Sequence, residues 1–503
     1  MASLRFFCIT SLFILCQDYF LLTDYPNYLA RIYLYNNLSD AHPLSEYYFK
    51  NMKITPYMGF PVIVGLLEPL VGIYWAGKYF FVFALSLIIS GGVYLNYILH
   101  KAVTPFSLFL HLFIFNLTFS MGFMNFTLGL GLILWGFGLW IRYQRHNIKF
   151  YSVFALYGIF VFFCHIFALF LLGLLIGFYQ LSLYPRSTIK LFLKSALKSA
   201  LKVISFTLVP MIITPFIMIT DMGFPPITSY VGFFQHFNFI VISPIFFTKN
   251  IGAFILIGAF GLLIFSKQLT WKLSFALKML LCIALITPFF LLSVAYVNIR
   301  IPALLGLLFA ICCTFKTSKK SFNVVMIVTV IFSIQLYATN IQKIFFHNDI
   351  ISEFVNTIKD DSQLKQKKLL TVTDSDALFF GPTVDLHLSS YAVIETNMFV
   401  PEMMTSIPPI NTNQKYQHID IGIGGVISRD ILNMTPEDAF KVQHILTKIT
   451  GYSFYNYWKK WRQEFDYVLW LHPKGQPENI PKELYVYKQG SYFTIYKIIR
   501  KNK

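Results

Sequence analysis

Long apolar runs separated by short basic connections fill positions 4 to 340, and run length, not an amphipathic period, is the dominant signal there. A helix that crosses a bilayer needs roughly 17 to 25 apolar residues. The runs predict about eleven such helices, over 4–22, 74–99, 104–120, 125–141, 149–164, 166–184, 203–219, 251–266, 273–293, 301–315 and 322–340. The segment 57–73 is also apolar and is expected to dip into the membrane without crossing it. The first run carries Gln17 and Asp18 and lacks a small-residue cleavage site, which predicts a retained signal-anchor helix.

From about Phe345 onward the apolar runs shorten to strand length. Lys368–Thr373, Tyr391–Ile394, Tyr467–Leu471, Leu484–Tyr487 and Tyr492–Tyr496 are rich in aromatic and β-branched residues and read as strands. Ile350, Ile351, Phe354, Val355 and Ile358 form a helical stripe, and Thr435-Pro436-Glu437-Asp438 has the residues of a helix start. The expected fold class is a polytopic α-helical membrane protein. A transmembrane module would cover 1–342, with a long first outer loop over 23–73. A C-terminal extracytoplasmic α/β or α+β domain would cover 343–503.

Charge orients this layout. Cytoplasmic connections are enriched in Lys and Arg. With the N-terminus inside, the inner connections hold Arg5, Lys101, Arg142, Arg145, Lys149, the series Arg186 to Lys202, Lys267, Lys272, Lys278, Lys316, Lys319 and Lys320, and no acidic residue. An odd number of spans then leaves the tail outside, periplasmic if the membrane is a bacterial inner membrane. The net charge of +18 is thereby explained by topology, and nucleic acid is not an expected partner. Lys190, Lys194, Lys198 and Lys202 recur every four residues, a spacing that suits either an interfacial helix on anionic membrane lipid or a solvated inner loop. Composition agrees: 56% hydrophobic and 13% charged residues exclude an ordinary soluble globular profile. All six cysteines fall in apolar segments, so the tail has neither a disulfide framework nor a cysteine zinc site.

Only six of the 23 acids precede the tail, namely Asp18, Asp24, Asp40, Glu46, Glu68 and Asp221, and all lie on or near the outer face. Carboxylates next to hydrocarbon are costly and mark sites that handle protons, metals or substrates. Asp24 follows the first apolar run and precedes Pro26, which suits a helix N-cap; Arg31 lies two helical turns on, near the same face. The two could form a structural ion pair, or hold a substrate hydroxyl and a phosphate. Asp18 would sit within the outer end of the first span, paired with a neighbouring helix or part of the site. His165 lies in a tight turn where its ring faces headgroups or the cavity. Asp221 and His236 occupy an outer loop rich in Phe and Pro that could cover a lipid tail or simply lie on the membrane surface. In the tail, Asp374-Ser375-Asp376 and Gly422-Ile423-Gly424-Gly425 read as turns. Gly129, Gly131, Gly136 and Gly138 read as sites of close helix packing.

The segment Asp24-Tyr25-Pro26-Asn27-Tyr28-Leu29-Ala30-Arg31 resembles an Asp-x-Pro-Asn-His-Leu-Ala-Arg sequence of bacterial GT-C-like membrane proteins. Asn125-Phe126-Thr127-Leu128-Gly129-Leu130-Gly131 and Phe465-Asp466-Tyr467-Val468 are similar to further parts of that pattern. The overall layout resembles the GT-C glycosyltransferases that use polyprenyl-phosphate sugars. Two departures stand out: Tyr28 takes the place of His, and the turn Ser120–Asn125 has no acid where many of these enzymes carry a second acidic motif. The resemblance implies a membrane glycosyltransferase with a polyprenyl-phosphate sugar donor and a glycan, lipid or protein acceptor. It implies Asp24 as general base, with Asp18 supporting it, and a cation on the leaving phosphate, for which Arg300 leads and Arg31 and Lys78 follow. A divalent metal is compatible with such a site, but no residue is assigned as its ligand. Three other functions fit parts of the pattern: a transporter or flippase for lipid-linked saccharide, a polysaccharide polymerase or ligase, and a non-catalytic envelope assembly protein.

Overall fold

The computed structural model describes residues 2–183 except 21, 52 and 144–147, then 269–286, 297–315, 346–373, 387–403, 409–419, 460–472 and 479–500, with isolated positions between. The spans expected at 203–219, 251–266 and 322–340 lie wholly or largely outside these residues. So do Asp221, His236, Asp374 to Asp376, Gly422 to Gly425 and Thr435 to Asp438.

The chain is mostly helical with a C-terminal sheet. Among the described residues, two helices are long and apolar enough to cross a membrane, Ile73–His100 (α4) and Met124–Tyr143 (α7). They pack along each other, and glycine lets them do so: a Cβ on Gly131 would come 2.9 Å from the backbone nitrogen of Ile88 and 2.6 Å from Leu87 Cβ. The shorter helices around them are Ala2–Cys16 (α1), Tyr25–Asn37 (α2), Gly59–Val71 (α3), Leu110–Ile114 (α5), Leu117–Ser120 (α6), Ile148–Cys164 (α8), Ile166–Ser182 (α9), Ser274–Ile286 (α10) and Val297–Cys312 (α11).

Two of the expected spans are altered. The first helix stops at Cys16 instead of running to 22, because Gln17 and Asp18 end the apolar run, and the described residues among 17–24 form bends and a turn. The stretch 104–120 is not one helix but a 3-10 turn followed by α5 and α6. Asn116 makes that break. Its Oδ1 accepts from Phe119 N at 3.1 Å and from Thr118 Oγ1, and its Nδ2 donates to Phe113 O at 2.9 Å and Ile114 O at 3.3 Å. One amide thus satisfies the backbone groups released by the break, as apolar surroundings require. The apolar segment expected at 57–73 forms α3, which exposes Val62, Leu66 and Leu70 on one face. Its other side is tied to α2 by Glu68, which accepts from Asn36 Nδ2 at 2.8 Å and Asn37 Nδ2 at 3.2 Å.

In the tail, the 346–358 helix carries the expected stripe, with Ile351, Phe354 and Val355 fully buried. Four of the expected strands are present, as Leu369–Thr373 (β4), Tyr467–Leu471 (β7), Leu484–Gln489 (β8) and Phe493–Ile498 (β9). The fifth, Tyr391–Ile394, is instead helical, within Ser390–Thr396 (α12), closed by Asn397 in the left-handed region. A four-residue apolar run does not distinguish the two forms, and here Tyr391 packs edge-on against Tyr19, 5.5 Å between ring centres. With Ile427–Ser428 (β6), the sheet runs in the order β6-β4-β7-β9-β8, parallel at β6-β4-β7 and antiparallel beyond.

The first loop is built into the tail. Tyr48–Lys50 (β1) pairs antiparallel with Ile410–Thr412 (β5). Asn413 Nδ2 donates to Ser45 O at 3.0 Å and Glu46 O at 2.6 Å. Ala30, Leu34, Leu38, Leu44 and Tyr48 share the buried cluster of the tail, so α2 lies between the two bodies and contributes to both cores. A further short pair, Leu269–Trp271 (β2) with Cys313–Phe315 (β3), joins the regions before α10 and after α11.

Candidate active site

Asp24 is held from behind by a turn. Thr23 N donates to Ser120 O and Asp24 N to Met121 O, both at 3.2 Å, so the α6–α7 connection fixes the backbone at the head of α2. Gly122 makes this approach possible twice over. Its φ is +79°, and a Cβ there would lie 3.0 Å from Asp24 N. Gly122→Ala is therefore expected to lower stability by about 1–3 kcal/mol and to displace Asp24; a melting temperature equal to that of the parent chain would contradict the packing.

The Asp24 side chain makes no capping hydrogen bond, although the residue stands at the N-cap position with Pro26 in the first turn. The backbone of Asp24 is helical, with φ −89° and ψ −10°, unlike the extended N-cap geometry expected from the sequence. The carboxyl therefore faces the site. It is only 16% exposed, and burial raises its pKa from 3.8 to about 7, with the Arg31 charge pulling the other way.

Asp24 meets Arg31, Tyr28 and His387 directly, and Tyr28 links it to Arg300, which in turn acts on His165. Arg31 is buried one side of α2 away and lies over the Tyr28 ring at 5.5 Å; burial lowers its pKa to about 10, so it stays charged at neutral pH. Arg300, expected in the connection between the spans 273–293 and 301–315, lies instead in the first turn of α11. Its guanidinium sits among Phe123, Phe126 and Phe167 at 5.0, 5.4 and 5.6 Å from the ring centres, an arrangement that favours a cation removed from water. Tyr28 is the electrostatic meeting point. Burial carries its hydroxyl up to about 12, Asp24 and Tyr57 add to that, and Arg31 and Arg300 oppose it. Tyr28 therefore stays a hydrogen-bond donor at neutral pH.

His165 belongs to the same group and has a structural task as well. It is the N-cap of α9, with Nδ1 accepting from Phe167 N at 3.1 Å. That bond leaves the ring proton on Nε2. The ring meets Tyr57 edge-on at 5.0 Å, and burial, then Arg300, hold its pKa well below the usual histidine range.

The last member comes from the tail. His387 Nε2 lies 3.7 Å from Asp24 Oδ1, and its Nδ1 lies 3.4 Å from Asn27 Nδ2. The sequence pattern lacks an imidazole at position 28; the fold brings one to Asp24 from the far end of the chain. Burial lowers the His387 pKa from 6.5 to about 3, so the ring is neutral. Nearby, the buried Glu402 carboxylate accepts from the hydroxyls of Thr371 and Ser389, and its main-chain oxygen accepts from Asn27 Nδ2 at 3.0 Å.

Asp24, Arg31, Arg300 and His165 are thus brought together, while two expected members are not. Asp18 is exposed in the linker after α1, because the helix ends before reaching it. Lys78 Nζ donates to Leu15 O at 3.4 Å and Gln17 O at 2.6 Å and lies over Trp75 at 3.9 Å; it caps the end of α1 and does not face the site. Tyr57, Asn27, His387 and Glu402 escaped the sequence reading. Asn27 lies inside the Asp24–Arg31 segment, but nothing local marks the other three. Among the described residues, no group of three or more His, Cys, Asp or Glu is placed to hold a metal ion.

The Asp24–His387 pair has a defined pH signature. Between pH 3.8 and about 7 folded Asp24 keeps a proton that the unfolded chain releases, so its contribution to stability falls as pH rises. Between about 3 and 6.5 unfolded His387 holds a proton that the folded ring lacks, so its contribution rises with pH. Over the shared window the two cancel. Asp24→Asn is expected to uncover a stability that climbs with pH, and His387→Leu one that falls, each by on the order of 2–4 kcal/mol. Thermal melts of the two variants from pH 4 to 6.5 that run parallel to each other would refute the assignment.

No protein family, no characterised protein and no solved structure matches the chain.

Proposed function

We propose that the protein is a polytopic membrane glycosyltransferase with about eleven spans and its site at the outer face. It transfers a sugar from a polyprenyl-phosphate carrier to an acceptor hydroxyl. The observation that carries this reading is a largely buried carboxyl, Asp24, on the same helix as the buried Arg31 and linked through Tyr28 to the buried Arg300. A general base works best when its pKa is close to the working pH. Asp24 takes the acceptor proton as that oxygen bonds to the anomeric carbon. The bond from that carbon to the phosphate oxygen breaks, and its electron pair leaves with the lipid phosphate. Arg300 and Arg31 supply positive charge to the departing phosphate, and the protonated Tyr28 offers it a hydrogen bond. A single displacement inverts the anomeric centre.

The outward exposure of Val62, Leu66 and Leu70 on α3 supports a membrane-surface setting for the donor lipid. The direct test incubates the purified full-length protein in proteoliposomes with a panel of polyprenyl-phosphate sugars and follows release of polyprenyl phosphate. Release with an inverted product supports the proposal. A folded preparation that neither binds nor turns over any member of the panel refutes it.

A further inference from the structure

We infer that His387 is a positioning residue for Asp24, and that the C-terminal region completes the active site by delivering it. This inference rests on the reading of Asp24 as the base. The main-chain oxygen of Glu402 can only accept, so the Asn27 group 3.0 Å from it must be the amide nitrogen. The second hydrogen of that nitrogen is then available to His387 Nδ1 at 3.4 Å, which makes Nδ1 the acceptor. A neutral imidazole has one proton, and it must lie on Nε2, the nitrogen facing Asp24 Oδ1 at 3.7 Å. The tautomer is therefore set by a backbone carbonyl two contacts away.

The carbonyl is itself anchored. Glu402 is buried, with its side chain accepting from Thr371 on β4 and from Ser389 at the head of α12. His387 precedes that helix by a single turn, in which Ser390 N donates to His387 O at 3.0 Å. The tail thus fixes both the position and the orientation of the ring. An Nε2–H directed at one carboxylate oxygen turns the other toward the acceptor. The separation of 3.7 Å is longer than a hydrogen bond; contacts of catalytic bases commonly shorten when substrate binds. His387 does not relay the proton, because the ring is already protonated on the side that faces Asp24. Its role is to orient the base and to favour its ionised form.

The other charged or titratable groups facing Asp24 are Arg31 and Tyr28 from α2, with Arg300 from α11 and Tyr57 from the loop before α3 acting through Tyr28. Among the described residues of the tail, His387 is the one that faces Asp24, so its effect can be separated from theirs. The measurement is an infrared titration of the Asp24 carboxyl in the full-length protein, with the band identified by its loss in Asp24→Asn. His387→Leu keeps the site dry but removes the donor, and is expected to raise the Asp24 midpoint by about one pH unit. His387→Gln retains a donor and is expected to stay near the parent value. Asn27→Leu releases the tautomer and should move the midpoint the same way by a smaller amount, which gives a second readout if His387→Leu does not accumulate. An unchanged midpoint in His387→Leu and Asn27→Leu, or a Gln variant that behaves like Leu, overturns the inference. The titration does not depend on turnover. If Asp24→Asn leaves transfer intact, the reaction fails, while the titration still decides whether His387 positions Asp24.

Discussion

Asp24→Asn should abolish most transfer while leaving the protein at least as stable as the parent at pH 7.5. Removing a general base costs about 10²- to 10⁴-fold in rate, and the asparagine amide cannot take the acceptor proton. A loss of that size is ordinarily open to the objection that the variant misfolds. Here the sign of the stability change answers it. Burial makes the ionised Asp24 unfavourable at neutral pH, so a neutral side chain of the same shape relieves the fold instead of damaging it. The carboxyl forms no helix cap, so no capping bond is lost. A structural Asp24–Arg31 pair predicts the opposite, a drop in melting temperature on removing one partner of a buried ion pair. Paired measurements of turnover and melting temperature therefore separate the two. Full turnover in Asp24→Asn would remove the residue from the mechanism.

Arg300→Met should lower turnover by about 10²- to 10³-fold, the range expected when a preorganised group that stabilises developing charge is deleted. Methionine suits the test because the guanidinium lies among Phe123, Phe126 and Phe167. A thioether also packs well on aromatic rings, so the folded state should hold. Arg300 also acts on Tyr28, Tyr57 and His165, lowering the first two pKa values and pushing the third further down. Removing it should let the Tyr28 and Tyr57 hydroxyls titrate higher still and release part of the downward pull on His165. Arg300→Lys should recover part of the loss, since the charge returns without the planar fork. Activity of Arg300→Met within about threefold of the parent, against the losses expected for such a group, would mean that the departing charge is met elsewhere.

Residues whose chemistry is unusual for their surroundings could be found from the sequence. Asp24 and Arg31 stood out because charge is rare among apolar runs, and Arg300 because it is a lone cation at a connection between two of them. Helix ends are not set by hydrophobicity alone. Gln17 and Asp18 ended α1 early, and Asn116 split an apolar stretch, because one polar side chain can satisfy backbone groups that a hydropathy average does not count. Tyr391 shows the same limit at short range, since a run of four residues fits a helix or a strand. Residues brought in by long-range contact could not be read at all. Nothing in the sequence near His387 or Tyr57 signals that the fold will place them beside Tyr28 and Asp24. Gly122 was equally silent, its role being visible only from the backbone that crosses it.

The pairing of β1 with β5 has a consequence for how the protein is made. Asn413 and the Ser45 carbonyl it bonds are 368 positions apart. At a synthesis rate of about 5 to 20 residues per second, the first segment waits on the order of 20 to 70 seconds for its partner. Throughout that interval, the strand edge at Tyr48–Lys50 and the faces of Ala30 and Leu34 have no core to join, although they have already left the ribosome. Assembly of the active site is thus one of the last events in biogenesis, and a chain released before residue 410 would present an open edge and an incomplete site to quality control.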